Sequence, residues 1–425
     1  MRDVWPDATP KHRRLELHAV RIVVLGGGYA GLSLARTLDA RLGAEHELLL
    51  VDEDASHLVQ HELHRLVRDP ALAEDIRIDL TDVFEHVEVH QRRVTGLDVD
   101  ARTVTLAGEA GSDDGSVQGE GVLSYDVCAV ALGAEPATQV PGAREHATPL
   151  KRVEHARTIH ERAVEVFERS EQSASAGSSS GEPPRIVVAG AGLSGVQVAG
   201  ELAALASEHG HEVGSSVEIA VVERESSVAP GFDEAFQRAI HDALTARGVD
   251  VRTGSQVERV RSDALSLVDG PDLDHDGVVW TGGIAGSSVL GGERPRVDAQ
   301  LRLGDRTFGF GDAVRIVDRD GQAVPATAQA AVRAAGTVAT NVERVVEGGD
   351  GLFDPRLERF AFDSAGWMVS IGDGAVAQIG PTVVTGRAAN ALKTTVGIGY
   401  RSSVGALRDA VQQVNDELGI RVDED

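Results

Sequence analysis

Two stretches of the chain share one unusual pattern of apolar and polar positions. An unbroken apolar run meets a cluster of glycines and continues as apolar residues at helical spacing: "RIVVLGGGYAGLSLARTL" from Arg21 and "RIVVAGAGLSGVQVAGEL" from Arg185. A short continuous apolar run predicts a strand, and the spacing beyond the glycines predicts a helix. Each unit is closed by another apolar run, "HELLLVDED" in the first and "SVEIAVVERES" in the second. After the first unit, "VTGLDVDARTVTLAG" and "VLSYDVCAVALGAEP" predict short strands. The glycine- and acid-rich "EAGSDDGSVQGEG" between them has nothing to bury and predicts a surface loop. A helix is predicted from about Val153, running into "QSASAGSSSGEPP", a flexible linker over about 171–184. The second unit continues with a helical pattern in "FDEAFQRAIHDALTARG" and strands in "VDVRTGSQVERV" and "GVVWTGGIAG". From about Val297 the chain returns to "DRTFGFGDAVRI" and a helix in "PATAQAAVRAAGTVATNVERVV".

A chain of 425 residues exceeds what one core supports and should divide. The pattern predicts an α/β protein with two Rossmann-like dinucleotide-binding domains, one inserted in the other. The outer domain covers 19–150 and 297–346, the inserted one 151–296, and a C-terminal α+β region follows over 347–425. The glycines are spaced as Gly26-x-Gly28-x-x-Gly31 and Gly190-x-Gly192-x-x-Gly195. In that spacing the first glycine makes the tight turn and the second admits a pyrophosphate. The third lets the helix pack on the strand. Asp52 ends the strand after the first turn and Glu223 the strand after the second. A carboxylate there accepts hydrogen bonds from a ribose diol and repels a 2′-phosphate, which favours NADH over NADPH at the second turn despite the neighbouring Arg224.

Composition narrows the partners. The chain has 67 acidic and 41 basic residues, a formal net charge of −26. Only Lys11, Lys151 and Lys393 are lysines. An acidic, lysine-poor surface suits a salt-rich cell interior of the halophilic archaeal kind, and it argues against a nucleic-acid partner. No apolar run is long enough to span a bilayer, and "MRDVWPDATPKHRRLELHAV" lacks a signal peptide's apolar core, so a cytoplasmic location is expected. Cys128 is the only cysteine. It cannot form an internal disulfide or a redox pair, and it reads as a small buried strand residue.

Two nucleotide-binding units, one inserted in the other, with a later "GFGDAV", resemble the two-domain FAD/NAD(P)H flavoproteins. The resemblance implies FAD on the first turn and NADH on the second. It also implies a flavin contact from Gly311 and Asp312 and a strand return through "VVWTGGIAG", which contains Gly283. The disulfide reductases and sulfide:quinone reductases need cysteines that the chain lacks. The sequence is similar instead to the type II NADH dehydrogenases, single-subunit NADH:quinone oxidoreductases, over roughly 20–400. The likeness is carried by "LVDEDASHLVQHELHRL", "TPLKRVEHARTIHERAVEVFE", "PATAQAAVRAAGTVATNV" and "ALKTTV". It implies that Ala328 and Gln329 lie beneath the flavin, that Arg333 and Lys393 border the acceptor, and that Gln197 faces the nicotinamide.

Two positions depart from that pattern. Gln197 stands where the family usually has glutamate, and Arg333 stands in place of the second glutamine of its AQxAxQ signature. Both touch acceptor and proton handling, so a soluble electron acceptor or carrier protein remains an alternative to quinone. A non-enzymatic flavin-binding sensor is a further one. His57, His61 and His64 at helical spacing could share a face, but their segment coincides with the flavin-flanking helix of the family, so no metal site is assigned. In the tail, Tyr400, Val404, Leu407, Val411, Val414 and Leu418 form a narrow apolar stripe. It is a candidate for packing on the body, for a homodimer contact, or for peripheral contact with the cytoplasmic face of a membrane.

Overall fold

The computed structural model describes residues 19–108, 121–175, 182–348, 355–364, 366–386 and 389. Its frame is two parallel sheets, as the patterning predicts. The first has the strand order Arg302–Gly304, Thr307–Gly309, Val127–Val130, Arg21–Leu25, Glu47–Asp52, Val87–Gln91. All its pairings are parallel except the hairpin of 302–304 with 307–309. The central strands Arg21–Leu25 and Val127–Val130 carry almost no polar side chain because both faces are covered. On one face Leu32, Leu34 and Leu38 pack with Val338 and Val342 from the helix Ala328–Gly348. On the other, Val23, Leu25, Val51 and Val130 meet Val104 and Tyr125 of a three-stranded meander.

The second sheet repeats the plan with Thr148–Pro149, Gly277–Trp280, Arg185–Ala189, Glu218–Val222 and Asp250–Arg252, all parallel. The chain crosses between the sheets twice. Glu135–Pro136 on the way out pairs antiparallel with Ile284–Ala285 on the way back. The helix Val153–Ser175 follows the outward crossing and covers one face of the second sheet.

A three-stranded antiparallel sheet, Trp367–Ile371, Gly374–Ile379 and Thr382–Thr385, lies against the helix Leu193–Glu208. A Cβ on Gly200 would meet the backbone of Ile371 at 2.7 Å, so the glycine is what lets the hairpin lie flat on the helix. Arg68 ties the same surfaces together, with hydrogen bonds to Glu208 and Asp373.

Four elements differ from expectation. "GVVWTGGIAG" breaks after Gly277–Trp280 and resumes as a separate strand at Ile284–Ala285, and the helix from Val153 runs to Ser175, into the stretch expected as a linker. "VDVRTGSQVERV" is not one strand but two, Asp250–Arg252 and Val257–Val260. The break falls at Gly254, φ +65°, where the chain turns so that the N–H groups of Gly254 and Ser255 reach the carbonyls of Glu225 and Glu223. "HLVQHELH" is not one α-helix either. His57 lies in the strand Ser56–Leu58, and only Gln60–Val67 is helical, as a 3₁₀ turn. The three imidazoles therefore do not share a helix face. The apolar stripe of the tail and Lys393 lie outside the described residues.

Candidate functional site

The first turn is assembled from backbone contacts that only glycine permits. Gly26 has φ +102°, and a Cβ there would fall on the carbonyl of Ala131. A Cβ on Gly31 would fall on the carbonyl of Gly26, so the helix Tyr29–Leu42 approaches its strand to bare backbone. The second turn has the same construction: Gly190 has φ +106° and abuts Thr281, and Gly195 abuts Gly190. Gly28 and Gly192 are the opposite case, because a Cβ on either would meet nothing within 4 Å. Each is the N-cap residue of its helix, and neither helix has a side-chain cap. The first-turn N–H groups thus face open space at the positive end of a helix dipole, the setting in which a phosphate binds.

Asp52 and Glu223 close the two turns in matching fashion. Asp52 Oδ2 accepts from the N–H of Gly27 at 2.5 Å and Oδ1 from Asp54 at 2.8 Å. Glu223 Oε2 accepts from Ala191 at 2.7 Å and Oε1 from Glu225 at 3.0 Å. Burial raises the Asp52 pKa, and the two N–H donors oppose that rise. Each carboxylate thus links the end of its strand to the middle of its glycine turn.

Another expected residue lies against the helix of the first turn. Gly311, φ +65°, brings its loop onto the helix, where a Cβ would meet Ala30 Cβ at 2.9 Å. Asp312 follows it. Ala328 and Gln329 open the helix Ala328–Gly348, whose first turn is capped by Thr327 Oγ1 accepting from Ala330 N at 3.2 Å. Gln329 Oε1 accepts from Ser364 Oγ at 3.1 Å, while its buried Nε2 has no hydrogen-bond partner among the described residues. An orphaned buried donor at the start of this helix, and open glycine backbone at the first turn, are features a polar, phosphate-bearing cofactor would complete. The residues present fit FAD.

Gly283, φ +116°, lies on the second turn's side and accepts through its carbonyl from Ala137 N at 3.0 Å. Gln197 lies on the helix Leu193–Glu208 and makes no side-chain hydrogen bond among the described residues. Arg333 is turned toward Phe362, its guanidinium carbon 6.0 Å from the ring centroid, a cation–π arrangement.

The segment Gln60–Val67 touches both halves. Tyr29, the first residue of the first helix, is joined to His61 Nδ1 at 2.5 Å. His64, three residues on, lies with its Nε2 3.8 Å from Glu201 Oε1 of the second helix, both side chains buried. Burial lowers the pKa of His61. One short segment therefore spaces the first helices of the two turns.

Three participants escape a reading of the sequence. His57, 1% exposed, places Nδ1 2.9 Å from the carbonyl of Gly27, and burial holds its pKa at about 4, so it is a neutral imidazole donating that hydrogen bond. Arg294 donates to the carbonyls of Asp312 and Val314, both at 2.7 Å, and so fixes the Gly311–Asp312 loop. Lys151 Nζ donates to Gln60 Oε1 at 3.1 Å at the crossing between the sheets. The scarcity of lysine in the chain is the one sequence signal that marks it. Cys128 is fully buried, its thiol pKa pushed well up by burial.

Comparison with known proteins agrees with this geometry. The profile of the family described as pyridine nucleotide-disulphide oxidoreductase matches residues 20–335. The type II NADH:quinone oxidoreductase of Staphylococcus aureus (strain NCTC 8325 / PS 47) is 26% identical over 373 residues, covering 83% of this chain and 87% of that one. Among solved structures, NDH2 from Plasmodium falciparum in complex with NADH superposes with a TM-score of 0.75 at 14% identity, covering 95% of this chain and 99% of that one. The sulfide:quinone oxidoreductase of Aquifex aeolicus superposes at 0.73 and 18% identity, covering 95% and 96%. At these identities the two structures speak for the fold.

Proposed function

The chain belongs to the pyridine nucleotide-disulphide oxidoreductase family, and from that premise we propose that it is an FAD-dependent NADH dehydrogenase delivering electrons to a quinone. With one cysteine in the chain, buried in a central strand, the disulfide branch of the family chemistry has no redox pair to work with. The single observation that carries the reading is the pair of open glycine turns, each closed by a carboxylate and spaced by one shared segment. The Staphylococcus relative supports the acceptor class. The net reaction is NADH + H⁺ + quinone → NAD⁺ + quinol. When bound, FAD supplies the two-electron exchange.

The protein's own share is binding and orientation. Gly26, Gly28, Gly31 and Asp52 hold FAD with Gly311, Asp312, Ala328 and Gln329. Gly190, Gly192, Gly195 and Glu223 hold NADH, with Gly283 on the return strand. Glu223 selects a free ribose diol over a 2′-phosphate. Gln197 orients the nicotinamide amide without taking a proton, and Arg333 with Lys393 borders the quinone. The domain division at about 150 and 297 belongs to this proposal, as does a role for the tail stripe in self-association or at a membrane surface. No helix among the described residues is long and apolar enough to cross a membrane.

The test is an anaerobic titration at high salt. NADH should bleach the bound-flavin spectrum, and a short-chain quinone should then restore it rapidly. Bleaching that quinone does not reverse would favour a soluble acceptor, the second reading, which the fixed charge of Arg333 at the acceptor side supports. A protein that does not bleach with NADH is not a dehydrogenase.

A further inference from the structure

We propose that Lys151 is a further cofactor-anchoring residue whose ammonium complements negative charge on the flavin nucleotide bound at the first turn. The inference rests on the reading of that turn as the FAD site.

Lys151 follows the edge strand Thr148–Pro149 and precedes the helix Val153–Ser175, at the outward crossing between the sheets. Among the described residues its Nζ has one hydrogen bond, to the side-chain oxygen of Gln60, at 3.1 Å. Gln60 opens the segment whose next residue, His61, holds Tyr29 at the head of the first helix. The ammonium thus lies beside the first turn, reached from the second sheet.

The surrounding charges are specific. Asp312, on the loop that Gly311 folds onto the first helix, and Glu135, on the crossing strand, both act on Lys151 through space, and Arg152 opposes them. Yet among the described residues no carboxylate is paired with Nζ, whereas the adjacent Arg152 reaches Glu53 at 3.0 Å. Burial dominates these influences and lowers the Lys151 pKa. An ammonium whose partner among the described residues is a neutral amide keeps its charge for something anionic to complete. The carboxylate of Asp312 makes no hydrogen bond among the described residues, so it would by itself repel a nucleotide's phosphates. A cation beside it removes that penalty. In a chain with arginine at nearly every other basic position, a compact ammonium at this crossing suits a point contact with a single anionic oxygen or nitrogen.

That anionic partner has two sources within the same cofactor: the pyrophosphate, and the isoalloxazine ring once it carries the two electrons. Apoprotein of wild type, Lys151→Gln and Lys151→Arg is titrated with FAD and with riboflavin, following flavin fluorescence. The midpoint potential of each holoprotein is then measured by dye equilibration. If the ammonium meets the phosphates, Lys151→Gln weakens FAD about tenfold and leaves riboflavin unchanged. If it meets the ring, FAD affinity holds and the potential falls by about 30 mV, the tenfold equivalent for a two-electron couple. Lys151→Arg keeps the charge and should lie within about threefold of wild type in either case. FAD affinity and potential both unchanged in a folded Lys151→Gln would overturn the inference. A wild-type apoprotein that refuses FAD would instead overturn the reading of the first turn.

Discussion

The two glycine turns are the same device held in place by different means. In both, the middle residue of the turn gives its N–H to the carboxylate that ends the next strand: Gly27 to Asp52, Ala191 to Glu223. The carbonyl of that residue is where they part. Gly27 O receives His57 Nδ1 at 2.9 Å, a titratable side chain. Ala191 O receives the backbone N–H of Ala229 at 2.7 Å, which does not titrate. Ala229 makes the contact from an unusual backbone, φ +45°, next to Pro230. One turn is therefore clamped by side-chain chemistry and the other by main-chain geometry. A turn that must hold a resident cofactor and one that must release a substrate each cycle can share a fold and still respond differently to pH.

The largest test of that shared device contrasts glycines within each turn. Gly31→Ala and Gly195→Ala put a Cβ onto the carbonyl oxygens of Gly26 and Gly190, with backbone on both sides of the clash. Each should cost roughly 4 kcal/mol or more, or abolish soluble expression. Gly28→Ala and Gly192→Ala put the Cβ into open space. They should change stability by about 1 kcal/mol or less while removing room for a phosphate. Thermal unfolding alongside FAD and NADH titrations separates the two outcomes. Equal destabilisation by all four substitutions would mean that the open positions are not binding positions.

The next effect is on pH dependence and concerns only the first turn. The folded-state pKa of His57 is about 4, below the unfolded value of 6.5. Between those values the unfolded chain binds the extra proton, so stability rises with pH and is lost as pH falls through the window. The loss approaches ~3 kcal/mol once pH is below 4. FAD release from the folded protein should set in only near pH 4, where the folded imidazole itself takes up a proton and a charge is placed beside Gly27. His57→Gln keeps a donor for Gly27 O and should flatten the dependence. A wild-type unfolding profile already flat between pH 6.5 and 4 would sink the argument.

Much of this construction is legible in the sequence, and the boundary is physical. Glycine spacing, the following strand and its terminal acid are local, so Gly26, Gly31, Asp52, Gly190, Gly195 and Glu223 can be placed from a window of some thirty or forty residues. His57 is as close to the first turn as Asp52 is, but its spacing to His61 and His64 imitates an α-helix. Only the 3₁₀ geometry of Gln60–Val67 and the strand before it reveal that His57 belongs to Gly27. Arg294 lies 18 residues before the carbonyl it fixes, with no motif of its own. Lys151 is within reach of the argument that singles out Lys393, since both survive in a chain nearly free of lysine. What hides its setting is that Gln60 and Asp312 come from opposite ends of the outer domain.

The smallest expected effect sharpens the comparison at the two acids. Glu223 is buried and both of its oxygens accept backbone N–H bonds, as both of Asp52's do. A carboxamide has one acceptor oxygen, so Glu223→Gln turns an N–H toward either Ala191 or Glu225 and loses that bond. The turn should loosen by about 1–2 kcal/mol. It also removes the negative charge that disfavours a 2′-phosphate, while Arg224, exposed and 3.2 Å from Glu225, stays available as a cation. The ratio of kcat/KM for NADPH to that for NADH should rise about tenfold, with FAD content unchanged. Asp52→Asn makes the same loss at the other turn, but there burial already disfavours the charge. Its cost should therefore be lower, and it should appear as weaker FAD retention with no change in coenzyme preference. If Asp52→Asn instead altered the NADPH to NADH ratio, or Glu223→Gln emptied the flavin site, the assignment of one nucleotide to each turn would have to be reversed.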